Sequence, residues 1–268
     1  MDTDVTIFIP VRNGSNFIVQ TIQSIINQTY RNWNLIIKDN CSTDNTKAIV
    51  STFLYDSRIQ WIERDQDVGS IGNYNSCLKD IPTRYYLILS HDDYLFSPDA
   101  LEKAHRILET HPDILKVHCD MMFVDDKNRS IAPKHFGRAG VVESDIIARK
   151  SIVSVRNLYG IPLLIRSTAI NGHRYDTAYP HAADVDFSIA VGKGACIYHI
   201  PEILIAIRFH RHNHTHGKFD TIAQELKLSA EKNQIELTKI EQLSMGFYNL
   251  FQNVAKRLFF IYLYHFRK

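Results

Sequence analysis

Asp92 and Asp93 stand side by side after an apolar run, 85–89, in the stretch Ser90-His91-Asp92-Asp93. Neighbouring carboxylates repel each other unless a cation or solvent shares them. Mg²⁺ and Mn²⁺ favour oxygen ligands of this kind and often complete their shell with substrate phosphates. A helix cap is the competing reading, because Ser97-Pro98-Asp99 follows and opens a helix. Two more acidic segments are candidates for chemistry: Asp39-Asn40-Cys41-Ser42-Thr43-Asp44, after the run 35–37, and 175–187, which carries Asp184 and Asp186. Asp184 opens a predicted helix, where a cap is the ordinary role. A simple turn is the alternative for Asp39, and Asp126 and Asp176 read as turn residues. His210, His212, His214 and His216 alternate, so an extended chain would point all four to one side. An imidazole metal site and a polar loop over a phosphate pocket both fit that run.

The elements that must position these groups follow from periodicity. The β-branched run 5–9 predicts a first strand, ended by Pro10 and the loop Arg12-Asn13-Gly14-Ser15-Asn16. Phe17, Ile18, Ile22, Ile25 and Ile26 then share one helical face. Strands are expected at 35–37, 59–62 and 85–89, and helices at 45–53, 73–78 and 97–109. Such alternation argues for a parallel sheet with helices on both faces. Right-handed crossovers put the strands' carboxyl ends along one edge, so Asp39 and Asp92 share a crevice, where ligands bind in open α/β sheets. From 114 onward the pattern changes. A strand is expected at 114–123, a hairpin turn at 125–129, a loop at 132–141 and short helices at 144–149 and 154–158. An irregular stretch, 175–183, leads to a helix at 184–191, and 196–208 re-enters the sheet. After Lys218 the chain reads as helical to its end, with a break near Ser244.

Composition removes several classes. A formal net charge of +2 over 268 residues does not argue for a nucleic-acid partner. Four scattered cysteines without a C-x-x-C pair indicate neither a disulfide framework nor a zinc ribbon, which fits a reducing compartment. The N-terminus lacks the basic segment of a secretory signal, and no run is long and apolar enough to span a bilayer, so a cytoplasmic location is expected. The turn after the first strand holds one glycine, so the dinucleotide fingerprint is absent. A G-x-x-x-x-G-K-[ST] phosphate loop is absent too. A nucleotidyltransferase would carry a glycine-rich basic loop near the N-terminus, and this chain has none.

Six segments occur in a telling order: VTIFIPVRN, DNCSTDNT, RDQDVGSIGNYNSCL, SHDDYL, YDTAYPHAADVDF and IRFHRHN. In that order they resemble a family-two glycosyltransferase with the GT-A fold, over roughly residues 5–215. The resemblance implies an α/β architecture: a Rossmann-like, mixed but mainly parallel sheet with helices on both faces. It divides the chain into a catalytic domain, 1–218, with a nucleotide-binding half (1–112) and an acceptor-binding half (113–218), and a C-terminal helical extension, 219–268. By position, Asp39 resembles the aspartate that bonds the nucleotide base, and Pro10, Arg12 and Asn13 line the same pocket. Asp92, beside His91, resembles the acid that coordinates the cation between the two phosphates, and His210 matches a position that completes the metal shell or contacts the diphosphate. Asp184 resembles the general base, and its place at a helix start suits it because the dipole helps keep a carboxylate ionised, while Asp186 competes for the role two residues on. Two departures stand out: Ser90 replaces an aspartate that faces the ribose in many members, and Ala183 replaces the glutamate that usually precedes the base.

What the resemblance implies is an inverting transferase. It would move a sugar from a nucleotide-diphosphate donor, a UDP-sugar favoured, to a hydroxyl of a glycan or lipid-linked acceptor, using Mn²⁺ or Mg²⁺, in cell-envelope polysaccharide synthesis. A catalytically weak homologue serving as a binding subunit of a glycan-assembly complex is the alternative that Ser90 and Ala183 suggest. Sugar choice is expected to rest on 132–174, with Arg166, Arg174 and His181 as candidates. The tail, 246–268, is basic, aromatic and free of acids, the composition of a helix lying in a membrane interface. Packing on its own domain or on a second subunit is the other reading.

Overall fold

The computed structural model describes residues 3–79, 81–210 and 219–261. In chain order the elements are β1 (Val5–Val11), α1 (Ile18–Ile26), β2 (Trp33–Asp39), α2 (Thr46–Ser51), β3 (Ile59–Glu63), α3 (Gly69–Cys77), β4 (Tyr85–Ile88), β5 (Tyr94–Leu95) and α4 (Ala100–Thr110). They continue with β6 (Ile114–Val124), β7 (Ser130–Lys134), β8 (Gly140–Glu143), α5 (Ser144–Ser154), β9 (Leu164–Arg166), α6 (Ala183–Gly192), β10 (Cys196–Arg208), α7 (Phe219–Lys232) and α8 (Lys239–Ile261).

One sheet runs through the molecule in the order β3-β2-β1-β4-β9-β6-β10-β5, with β7 on β6 and β8 on β10. Strands β1, β2, β3, β4, β6 and β10 point the same way, while β5, β7, β8 and β9 run against them. The mixed, mainly parallel sheet expected from the sequence is therefore present. β1 is buried along its whole length, as a continuous β-branched run between two helix layers should be. On one face Ile7, Ile9 and Val11 pack with Ile18, Ile22 and Ile25 of α1. Each of those fully buried isoleucines contributes about 1.5–3 kcal/mol. On the other face Phe8, Ile36 and Tyr86 meet Phe187 and Val191 of α6. A separate cluster joins α5, α6 and the C-terminal helices through Ile152, Val185, Ile189, Leu226, Ala230 and Met245.

Four expectations need correction. α3 begins at Gly69, whose φ of +71° suits glycine, not at Asn73. The stretch 132–141 is a loop only over 135–139: short edge strands β7 and β8 occupy its two ends, too polar to show a buried face. The two short helices expected at 144–158 are the single α5. It ends where Val155 turns left-handed (φ 51°) and the Ser151 hydroxyl accepts the Leu158 N–H at 3.2 Å. The C-terminal break lies at 233–238, where Gln234 has φ +61° and Thr238 caps α8, and Ser244 sits inside that helix. Among the described residues, no helix is long and apolar enough to cross a membrane.

Candidate active site

A cleft of about 1150 Å³ opens at the carboxyl ends of the parallel strands. Pro10, Arg12, Asn13, His91 and Asp92 line one side of it, and Lys134, Asn157, Tyr175 and Asp184 the other, with His210 at the first wall.

The acidic corner after β4 is fixed from several directions. The Thr21 hydroxyl of α1 lies 2.8 and 2.7 Å from the carbonyl oxygens of His91 and Asp93. Gly14 packs so closely that a Cβ there would lie 2.8 Å from His91 Cδ2, so no side chain fits. Arg208, at the end of β10, is 1% exposed. It donates from Nε to the Asp92 carbonyl (3.0 Å), from Nη1 to the Asp125 carbonyl (3.1 Å) and Asn128 Oδ1 (2.6 Å), and from Nη2 to Gln20 Oε1 (2.7 Å). Its backbone N–H donates to Asp93 Oδ1 at 3.0 Å.

This frame separates the two carboxylates chemically. Burial would raise the Asp92 carboxyl, but the hydrogen bond from His210 and the nearby His91 bring it below the ordinary range. Burial and the Asp92 charge push Asp93 well up. Asp92 is thus the ionised partner, its Oδ2 2.9 Å from His210 Nε2. His210 is held against the Phe17 ring, centroids 5.0 Å apart. One carboxylate oxygen and one imidazole nitrogen facing each other suit a divalent cation whose other positions are filled from the cleft. Among the described residues, the one group of three ligand atoms within 4.8 Å of one another is Asp4, His105 and Glu109. It lies at the amino end of β1, where Glu109 is already bonded by Tyr85 and Arg84. His212, His214 and His216 fall outside the described residues.

Asp39 ends β2 beside Val11 but is not among the residues lining the cleft. Its buried carboxylate accepts the Ser42 N–H (3.0 Å) and the Ser42 hydroxyl, holding a tight turn in which Cys41 has φ 60°. That turn seats Asn13: the Asn13 N–H donates to Ser42 Oγ and Asn13 Oδ1 accepts the Thr43 N–H, both at 2.8 Å. Asn40, not Asp39, faces the cleft, and its side chain donates to Asp67 at 2.7 Å and accepts the Val68 N–H at 3.0 Å. Asp67 also pairs with Arg12. The Gly69 amide, with Asn40 and Arg12, holds the Asp67 carboxyl below its usual value.

Asp184 stands in the first turn of α6, exposed to the cleft yet closely walled by protein. Burial by those walls raises its carboxyl above the ordinary value, against the pull of the Val185 amide, Asn157 and Lys134. The Asn157 side chain is oriented by its own turn: Oδ1 accepts the N–H groups of Tyr159 (2.9 Å) and Gly160 (2.8 Å). Its Nδ2 therefore points to Asp184 Oδ2, at 2.7 Å. Lys134 Nζ donates to the Asn157 carbonyl at 2.9 Å. Asp186 turns the other way, accepting from Ser229 (2.7 Å), Lys232 (2.8 Å) and Asn233 (3.2 Å), and does not line the cleft. Glu225 of α7 accepts the backbone N–H groups of His181 and Ala182 at 2.8 and 2.7 Å, which seats the start of α6. Lys116 lies at the cleft floor, where burial pulls its ammonium down to about 7, and it donates to the Ser188 carbonyl at 3.2 Å.

Sequence reasoning missed Asn40, Asp67, Lys116, Lys134, Asn157 and Glu225. Each acts across a long separation, or as one polar residue without a local pattern. Arg166, Arg174 and His181 are not among the lining residues; Arg166 binds the carbonyl oxygens of Ile114 (2.7 Å) and His111 (3.1 Å) instead.

Comparison with known proteins gives a consistent result. The family model "Glycosyl transferase family 2" matches residues 6–166. An uncharacterized glycosyltransferase of Rickettsia prowazekii is 29% identical over 211 residues, covering 77% of this chain and 64% of that protein. One from Haemophilus influenzae is 24% identical over 212 residues, covering 77% and 65%. The chain thus spans less than two thirds of the length of these relatives. Among solved structures, S. aureus TarS (residues 1–349) in complex with UDP-GlcNAc shares the fold with a TM-score of 0.71 at 15% identity, over 91% of this chain and 71% of that one. The mannosyltransferase PcManGT from Pyrobaculum calidifontis, in complex with GDP-Man and Mn²⁺, does so with a TM-score of 0.65 at 15% identity, over 97% and 75%.

Proposed function

The chain belongs to glycosyl transferase family 2, and on that premise we propose that it transfers a sugar, with inversion, from a nucleoside-diphosphate donor to an acceptor hydroxyl during assembly of a cell-envelope glycan. The observation that carries this reading is the single hollow lined by both the Asp92–His210 pair and Asp184. In it the half 1–112 takes the nucleotide and 113–218 the acceptor, and the helices α7 and α8 form an extension.

Asp92 and His210 would hold Mn²⁺ or Mg²⁺, which neutralises charge growing on the leaving diphosphate. Pro10, Arg12, Asn13 and Asn40 flank the nucleotide side, with Arg12 and Asn40 both aimed by Asp67. Asp39 supports that side by holding the Ser42 turn beneath Asn13. Asp184 takes the hydroxyl proton as the new bond forms on the sugar face opposite the diphosphate. Its raised carboxyl makes it a stronger base than an ordinary aspartate, and the α6 dipole favours its ionised form. Asn157 holds Oδ2, and Oδ1, which accepts the Val185 N–H at 2.9 Å, keeps a second lone pair for the acceptor hydroxyl. The TarS and PcManGT complexes support a nucleotide-sugar donor, with UDP- and GDP-sugars as the first to test.

A thermal-shift panel of UDP and GDP, each with and without Mn²⁺, tests the reading. At a hundredfold excess over Kd a ligand of the native state adds about 2.7 kcal/mol, which for a chain of this size raises Tm by about 5–10 °C. One of the nucleotides should do so only with the metal. No shift with either nucleotide, metal or not, defeats the proposal.

A further inference from the structure

Helix α8 leaves the body of the protein with one long face uncovered. Its start is fastened: the Glu241 N–H donates to Thr238 Oγ1 (3.3 Å), Glu241 Oε2 accepts the Thr238 N–H (2.9 Å), and Arg149 of α5 donates to both Glu241 oxygens at 2.6 Å. Met245 then enters the cluster between α5 and α7. The other side carries Ile240 and Leu243 (each 76% exposed), Phe247 (68%), Leu250 (66%), Phe251 (59%) and Val254 (52%). At helical spacing these six fall within an arc of about 100°. Leu258 and Ile261 continue the same spacing in the sequence. Isolated exposed apolar residues are ordinary, but a contiguous stripe this long marks an interaction surface.

Charge decides what covers it. From 246 to 268 the chain has no Asp or Glu but has Lys256, Arg257, Arg267 and Lys268. Helical spacing sets Lys239 at one border of the apolar arc. A second copy laid on this face would bring together two segments that have no acid after Glu241, so their cations would gain no partner. A bilayer rich in anionic lipid satisfies both features: apolar side chains enter the acyl boundary while lysine and arginine reach back to the headgroups. No described helix can cross a membrane, so contact is along the surface. We propose that α8 lays this protein on an anionic lipid surface through its uncovered apolar face.

Co-sedimentation of the full chain with vesicles tests this independently of sugar transfer. Vesicles of phosphatidylcholine mixed with phosphatidylglycerol should bind it about tenfold more tightly than phosphatidylcholine alone, and high salt should narrow the difference. The triple variant Leu243→Glu, Phe247→Glu, Leu250→Glu should lose about tenfold or more of that binding. It alters only exposed side chains, so its Tm and nucleotide-induced shift should match the wild type. Absence of vesicle binding by the wild type, or equal binding by the triple variant, overturns the proposal. So does a wild-type dimer in light scattering that the triple variant dissociates, which would assign the stripe to a second copy.

Discussion

The two walls of the cleft hold their carboxylates by different means. Asp92 sits on a corner that the parallel core dictates: backbone carbonyls are gripped by Thr21 and Arg208, and a glycine lets the chain pass beside His91. Asp184 sits at a helix start whose placement depends on side chains from elsewhere, Asn157 in a loop and Glu225 in α7. Strand register places the first wall and side chains lock its backbone, whereas hydrogen-bonded side chains alone place the second. A wall of the first kind resists single substitutions, and one of the second kind can be adjusted residue by residue.

Substitutions at three positions test that contrast. The largest effect belongs to Asp184→Asn, expected to lower transfer by about 10²–10⁴-fold while leaving the metal-dependent nucleotide shift intact. Donor hydrolysis with Mn²⁺ measures this. Metal-dependent turnover absent from the wild type as well would favour the non-catalytic binding subunit. Glu225→Ala should cost about 1–3 kcal/mol of stability, because two buried N–H groups lose their acceptor. Its activity should fall with the nucleotide shift preserved, and Glu225→Gln, which keeps a carbonyl oxygen, should recover most of both. If instead the nucleotide shift disappears, the walls are not independent.

The smallest effect is a pH shift. Burial, the largest influence on Asp184, already raises its carboxyl, and the Asn157 hydrogen bond lowers it. Asn157→Ala removes the lowering contact, so the acidic limb of kcat/KM should move to higher pH. The deficit should be greatest on the acid side and close to nil on the alkaline side, where the base is ionised in both proteins. A uniform loss at every pH would mean that Asn157 shapes the loop and does not tune the base.

The same contrast explains what was legible in the sequence. Strands β1, β2 and β4 announce themselves as apolar runs, and the corner at Asp92 follows from where the last run stops. The second wall left little trace. Edge strands β7 and β8 are short and half polar, α5 carries a serine-rich inner face, and Asn157 looks like any loop asparagine. The end of α7 was misplaced although a signal was present: Thr238 and Glu241 have the spacing of a capping box. Asp39 was legible as an acid at a strand end. That its carboxylate folds back on Ser42 depends on the left-handed turn at Cys41, which no residue type there advertises.

Arg208 bears on how this chain can be lengthened. A hairpin tip such as 126–128 is ordinarily where a tag or a foreign loop is grafted with least harm. Here the guanidinium that steadies the Asp92 carbonyl also holds the Asp125 carbonyl and the Asn128 side chain. A graft at that tip would tug on the Asp92 corner through one arginine, so a reporter belongs on another loop.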